Sequence, residues 1–188
     1  NICLLCTKLP TMENGLAQRK TTPDGKNGVA VSYTIHPKAT WGDGTPVTTK
    51  DVMFTWKVGR HKQSGVGNIE FYRSLYKVEP MDEKTFTLHF DKLTFEYNSI
   101  GGFNLLPAHL DEKNFADPLS YKNRTAFDTD TTNPGLYFGP FRIDEAIAGS
   151  HVVLVPNNTW YGAKPHFKKI TVRVIENTAA LEANLLSG

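Results

Sequence analysis

The chain has 188 residues, 39% hydrophobic and 21% charged, with 21 Lys and Arg against 19 Asp and Glu for a formal charge of +2. That balance excludes the strongly basic make-up of a nucleic-acid binder or of a protein held to anionic membrane by its overall charge. No stretch approaches the ~18 apolar residues of a membrane span.

The length suits one domain or part of a larger one, and a chain of this size buries roughly 70% of its unfolded surface. It starts at Asn1 without a basic, then apolar, leader. It closes on "NTAALEANLLSG", a helix pattern stopped early. The expectation is a piece of a longer protein whose signal peptide lies outside it.

Cys3-Leu-Leu-Cys6 opens the chain. A zinc site wants four ligands, and a redox dithiol wants a βαβ setting, so buried or incidental thiols are expected. "TPDGKNG" at 22–28 is turn chemistry. "GVAVSYTIHP" then alternates, with Val29, Val31, Tyr33 and Ile35 on one face, which predicts a half-buried strand ended by Pro37.

Residues 38–60, "KATWGDGTPVTTKDVMFTWKVGR", place Trp41, Asp43, Gly44 and Asp51 close together. Asp43-Gly44 signals a turn, and Thr48 with Asp51 three residues on has capping-box spacing. A helix follows over about 49–58, with Val52 and Trp56 on one face and Phe54 and Val58 on another. A helix apolar on most sides is expected to be buried on most sides.

"SLYKVEP" and "KTFTLHF" read as a hairpin around "MDE". Residues 93–100 read as a short helix or extended segment, and "LLPAHL" as a helix opened by Pro107. Residues 111–135 are polar and turn-rich, which predicts a surface loop or linker. Strands follow at 136–143, 150–156 and 169–175, the last with Ile170, Val172 and Val174 on one face. Asn177 can cap a final helix carrying Leu181 and Leu185.

Catalytic and metal constellations are weak. None of the six histidines has a paired ligand spacing, and His89 falls opposite Leu88 and Phe90, which predicts a solvated ring. No calcium loop, phosphate-binding loop or nucleophile elbow is present. Asp43 and Asp51 are explained by a turn and a cap without chemistry. Asn123-Arg-Thr and Asn157-Asn-Thr fit glycosylation sequons, which arise readily by chance. No metal or cofactor is expected.

The aromatics are more suggestive. Phe71, Tyr72 and Tyr76 follow the loop "KQSGVGN", and a tyrosine beside a loop pairs an apolar body with a hydroxyl. Tyr72 is open between ligand contact and packing, whereas Phe71 reads as core. The candidate ligand-binding residues are Tyr72, Asn68 and Tyr137. The candidate framework residues are Trp41, Asp43, Gly44, Thr48 and Asp51.

"WGDGTPVTTKDVMFTW" also resembles the signature of the extracytoplasmic solute-binding proteins of peptide-type ABC transporters, carried here by Trp41, Asp43, Gly44, Pro46, Thr48, Asp51, Val52, Phe54 and Trp56. A second match follows about a hundred residues later, on Gly139, Pro140, Phe141, Asn157, Trp160, Tyr161, Gly162 and Pro165. One departure is Leu136, Tyr137 and Phe138, where the family usually has glycine-threonine-glycine.

The resemblance implies a mixed α/β fold: a periplasmic-binding-protein-like lobe fragment, with twisted, largely antiparallel sheets flanked by helices. It implies that residues 1–188 are part of the first lobe of a two-lobed protein, the second lobe being absent. It further implies a periplasmic or extracytoplasmic binding component, not an enzyme, that closes with its second lobe on oligopeptides and delivers them to a membrane permease. Nucleic acid is not an expected partner. The alternatives are a hydrolase using a carboxylate such as Asp43, and an adaptor or sensor domain contacting a membrane partner.

Overall fold

The computed structural model describes residues 3–187. Asn1, Ile2 and Gly188, the last of the closing stretch, lie outside the described residues.

An antiparallel sheet of order β1-β2-β4-β3 forms the first layer, from β1 (Ala17–Thr21), β2 (Asn27–Thr34), β3 (Leu75–Pro80) and β4 (Thr85–Phe90). The alternation along β2 holds, since Val29, Val31, Tyr33 and, just past its end, Ile35 are all buried. In register with β4, Val31 faces Leu88 and Tyr33 faces Phe86, whose ring stacks on it at 5.7 Å. The predicted hairpin is β3–β4. Strand β1 has no counterpart in the sequence pattern: in Ala17–Thr21 only Ala17 is buried, so no alternation marks it.

Helix α1 (Thr49–Gly59) begins at the predicted capping box, where the Thr48 amide donates to Asp51 Oδ2 at 2.8 Å. It lies between two apolar clusters. Val52 joins the sheet residues, and Phe54 and Val58 join Ala108, Phe115 and Tyr121. Its outer face remains open, because Lys50, Lys57 and Arg60 are exposed. The helix is thus buried on most sides, as expected, with one narrow face left to solvent.

α2 (Ile69–Ser74) stands where the sequence shows only a loop and aromatics, and residues 93–100 form turns. The stretch 111–135, expected as a surface loop or linker, does lie largely at the surface, but it is folded into short helical turns. It carries the end of α3 (Ala108–Asp111), α4 (Pro118–Tyr121), α5 (Ala126–Thr129) and short 3-10 turns at Asn114–Ala116 and Pro134–Leu136. Asp111, fully buried, holds this segment. Its Oδ1 accepts from the Ala126 amide at 2.8 Å and its Oδ2 from the Tyr121 hydroxyl at 3.0 Å.

The second sheet is antiparallel β5-β6-β7, from β5 (Phe141–Ile147), β6 (His151–Pro156) and β7 (Ile170–Arg173). β5 starts later than the predicted 136–143, because Pro134 opens a 3-10 turn and Pro140 has no amide for a ladder. α6 (Thr178–Ser187) follows Asn177, as expected. Val172, Val174, Leu181 and Leu185 are exposed on these last elements.

Candidate functional site

The turn at Trp41 is the structural centre of the chain. Trp41 is fully buried; its amide donates to the Thr45 carbonyl at 2.8 Å and its carbonyl accepts the Gly44 amide at 2.9 Å. Gly44 sits at φ +89, a backbone region that favours glycine. Gly42 must be small for a different reason, since a Cβ there would lie 2.5 Å from the Pro134 carbonyl oxygen.

Both acidic residues serve this framework. Asp43 Oδ1 accepts the Thr45 amide at 2.9 Å and Oδ2 pairs with His109 Nε2 at 2.9 Å. Burial raises the Asp43 pKa, but the Thr45 amide and hydroxyl and then His109 outweigh it, leaving the carboxyl below its usual value. Asp51 caps α1 and also accepts the Ala108 amide at 2.9 Å. Burial dominates there and pushes its pKa up, against the Thr48 and Ala108 amides. The Trp41 Nε1 makes no hydrogen bond of normal geometry, although its polarity also favours the charged Asp51.

The two sequence signatures meet. Thr159 Oγ1 donates to the Trp41 carbonyl at 3.1 Å, and the Phe138 ring meets Trp41 edge-on at 5.2 Å. Buried Asn157 donates through Nδ2 to the Tyr137 and Gly139 carbonyls at 3.2 and 3.0 Å. An acceptor-locked, buried amide is no glycosylation site, which removes one of the two sequons. The Tyr161 ring stacks on His36 at 4.2 Å, and its hydroxyl bonds to the Leu4 carbonyl. The downstream signature is thus the seam by which the second sheet grips the first.

Beside this seam lies an apolar cavity of about 490 Å³. Tyr33, Ile35, Phe86, Phe103 and Phe138 line it, together with the Cys3–Cys6 loop. The two cysteines are disulfide-bonded with Cα atoms 5.3 Å apart, which corrects the expectation of free thiols. The sequence pattern placed Tyr33 on the buried face of its strand and pointed to no cavity. Its only signal was the aromatic pair in place of small residues at Tyr137 and Phe138.

The three candidate ligand residues do not converge. Tyr72 is only 3% exposed and packs edge-on to Phe71 and at 5.6 Å from Phe103. Packing is the alternative the structure supports for Tyr72; an exposed tyrosine is not what it shows. Asn68 is exposed at the start of α2 with no capping bond. Tyr137 is half-buried, its hydroxyl donating to the Thr131 carbonyl at 2.5 Å. His89 is not solvated either: it lies half-buried 3.1 Å from Glu79 Oε2, and burial lowers its pKa despite that partner.

Residues 11–188 match the family described as bacterial extracellular solute-binding proteins, family 5. The chain belongs to that family. Among curated relatives it is 30% identical over 159 residues to the oligopeptide-binding protein OppA of Mycobacterium bovis, covering 81% of this chain and 25% of that protein. It is 29% identical over 161 residues to the probable D,D-dipeptide-binding periplasmic protein DdpA of Escherichia coli, covering 84% of this chain and 29% of that one. Its fold matches the oligopeptide-binding protein of Thermus thermophilus, crystallised with a pentapeptide, at a TM-score of 0.82 and 26% identity over 98% of this chain and 35% of that one. The chain therefore spans about a quarter to a third of the length of these proteins. The mixed α/β, largely antiparallel lobe architecture expected from the sequence is the one found. Among the described residues no helix is long and apolar enough to cross a membrane.

Proposed function

We propose that this chain is part of the first lobe of the substrate-binding component of an ABC import system, a protein that captures oligopeptides outside the cytoplasm for a membrane permease. The single observation that carries the reading is the family match over nearly the whole chain, with both signatures spent on framework: Trp41, Asp43, Gly44, Thr48 and Asp51 hold the turn and helix, and Asn157 and Thr159 the seam. Binding without chemistry is consistent with carboxylates that are already saturated by amides and His109. Asn68 and Tyr137 remain the proposed ligand contacts of this part, together with residues of the second lobe. Half of a two-lobed clamp buries too little of a small ligand to hold it tightly, so the test needs the whole protein.

The test is calorimetric titration of the whole protein with short peptides, nickel chelates and oligosaccharides, with mass spectrometry of the peptides afterwards. Saturable heats with intact peptides are expected. Binding confined to chelates or sugars, or cleaved peptides whose production stops in Asp43→Asn, would overturn it.

A further inference from the structure

The near-neutral composition hides a local segregation of charge on the outer face of α1. An open groove of about 1150 Å³ runs along this helix, with Lys50, Lys57, Arg60 and Lys62 among its lining residues. Glu112 is its one carboxylate among the described lining residues, and none of the four cations is in an ion pair with a described carboxylate.

Helix stability explains only part of this. Lys57 and Arg60 complement the negative end of the helix dipole, but Lys50 stands in the first turn, where a cation is disfavoured. Apolar and aromatic side chains line the groove beside these cations. Met53 and Trp56 are half-buried in it, the Arg60 guanidinium lies 4.7 Å over the Trp56 ring, and Lys57 Nζ is 5.6 Å from the Phe115 ring centroid. Trp56 Nε1 is left with no hydrogen-bond partner.

We infer that this groove is a docking site for an acidic, partly apolar segment of a partner protein, separate from the ligand-holding region. Charge complementarity fixes the sign of the partner. The lining fixes its class. The groove sets half-buried Met53 and Trp56 among the cations, so a segment that offers apolar as well as acidic side chains can meet both. Lys50 to Arg60 spans roughly 15 Å along the helix, which about five extended residues match. Acidic side chains at the ends and an apolar one between would meet the cations and these apolar residues together. None of the residues lining this groove lines the apolar cavity beside Trp41, so the two can be occupied independently.

The test is titration of the whole protein with a blocked peptide of sequence Asp-Glu-Leu-Phe-Glu-Asp, followed by calorimetry and by the indole resonance of Trp56. The neutral analogue Asn-Gln-Leu-Phe-Gln-Asn and phosphatidylglycerol vesicles serve as competing probes. Expected is saturable binding of the acidic peptide alone, weakened at least about tenfold between about 50 and about 500 mM NaCl. The doubly reversed Lys57→Glu/Arg60→Glu variant should lose at least about tenfold while its cargo binding stays as in the parent, its melt lowered by the reversed helix-dipole contacts, and Lys57→Gln/Arg60→Gln should weaken the peptide in the same direction. Equal binding of the neutral peptide, indifference to the double variant, no peptide binding at all, or vesicle binding that depends on Lys57 and Arg60 in place of peptide binding would each overturn the assignment.

Discussion

Single residues carry this chain's organisation, and Trp41 carries the most. Its ring fills the main core, its edge receives Phe138, and its backbone closes a turn and receives Thr159. Trp41→Ala would therefore leave a cavity between two layers that cannot both collapse into it. The expected loss is about 3 to 5 kcal/mol, read by urea denaturation; an unchanged midpoint would show that the turn is held by its backbone alone. Asp43 makes a different kind of statement. Its pKa is depressed in the folded chain, so between the folded and unfolded values the unfolded state binds more protons. Its contribution is complete above the unfolded value of about 4 and is lost as pH falls through the folded one. The stability gap between the parent and Asp43→Asn should be flat from near-neutral pH down to about 5 and close below about 4. Asp51, with its pKa raised by burial, carries the opposite slope, its pH-linked share falling as pH rises. A gap for Asp43→Asn that persists to the acid limit would contradict the assigned direction.

At the scale of elements, legibility followed local pattern. β2, α1 and the β3–β4 hairpin announce themselves because period and caps lie within one short window, as in Val29 to Ile35 or Thr48 to Asp51. β1 does not, because an edge strand with one buried side chain owes its conformation to its neighbour's hydrogen bonds. Residues 111–135 resemble a linker because their order comes from one buried carboxylate that collects the Tyr121 hydroxyl and the Ala126 amide, ten and fifteen positions on. Polar residues used inward are indistinguishable in sequence from polar residues facing water. The same holds for Asn157, whose sequon pattern concealed a buried amide. The framework half of the candidate site was readable for this reason: turns and caps are short-range. The cavity lined by Tyr33, Phe86, Phe103 and Phe138 was not, since its walls come from six separate stretches of the chain.

At the scale of the whole molecule, the question is what makes two sheets one body. The connection runs through Thr159 and Tyr161 on one side and the Trp41 carbonyl, His36 and the Leu4 carbonyl on the other, with Asn157 behind it, accepting from the Thr159 hydroxyl and donating to the Tyr137 and Gly139 carbonyls. On the proposed reading, in which this chain is part of a lobe that closes on a ligand, slack at this seam would dissipate the closing energy. Asn157→Ala would leave the part-buried Tyr137 and Gly139 carbonyls without this donor, at up to about 1 to 3 kcal/mol each, and would free the Thr159 hydroxyl from the acceptor that holds it at the Trp41 carbonyl. It would leave the cores of both sheets untouched. The expected outcome is therefore a loss of coupling as well as of stability: amides of β5 and β6 should exchange faster while those of β2 and β4 keep their protection, and urea unfolding should separate into two steps. A single unshifted transition with uniform exchange would mean that the seam is held elsewhere, and that Asn157 is merely well accommodated there.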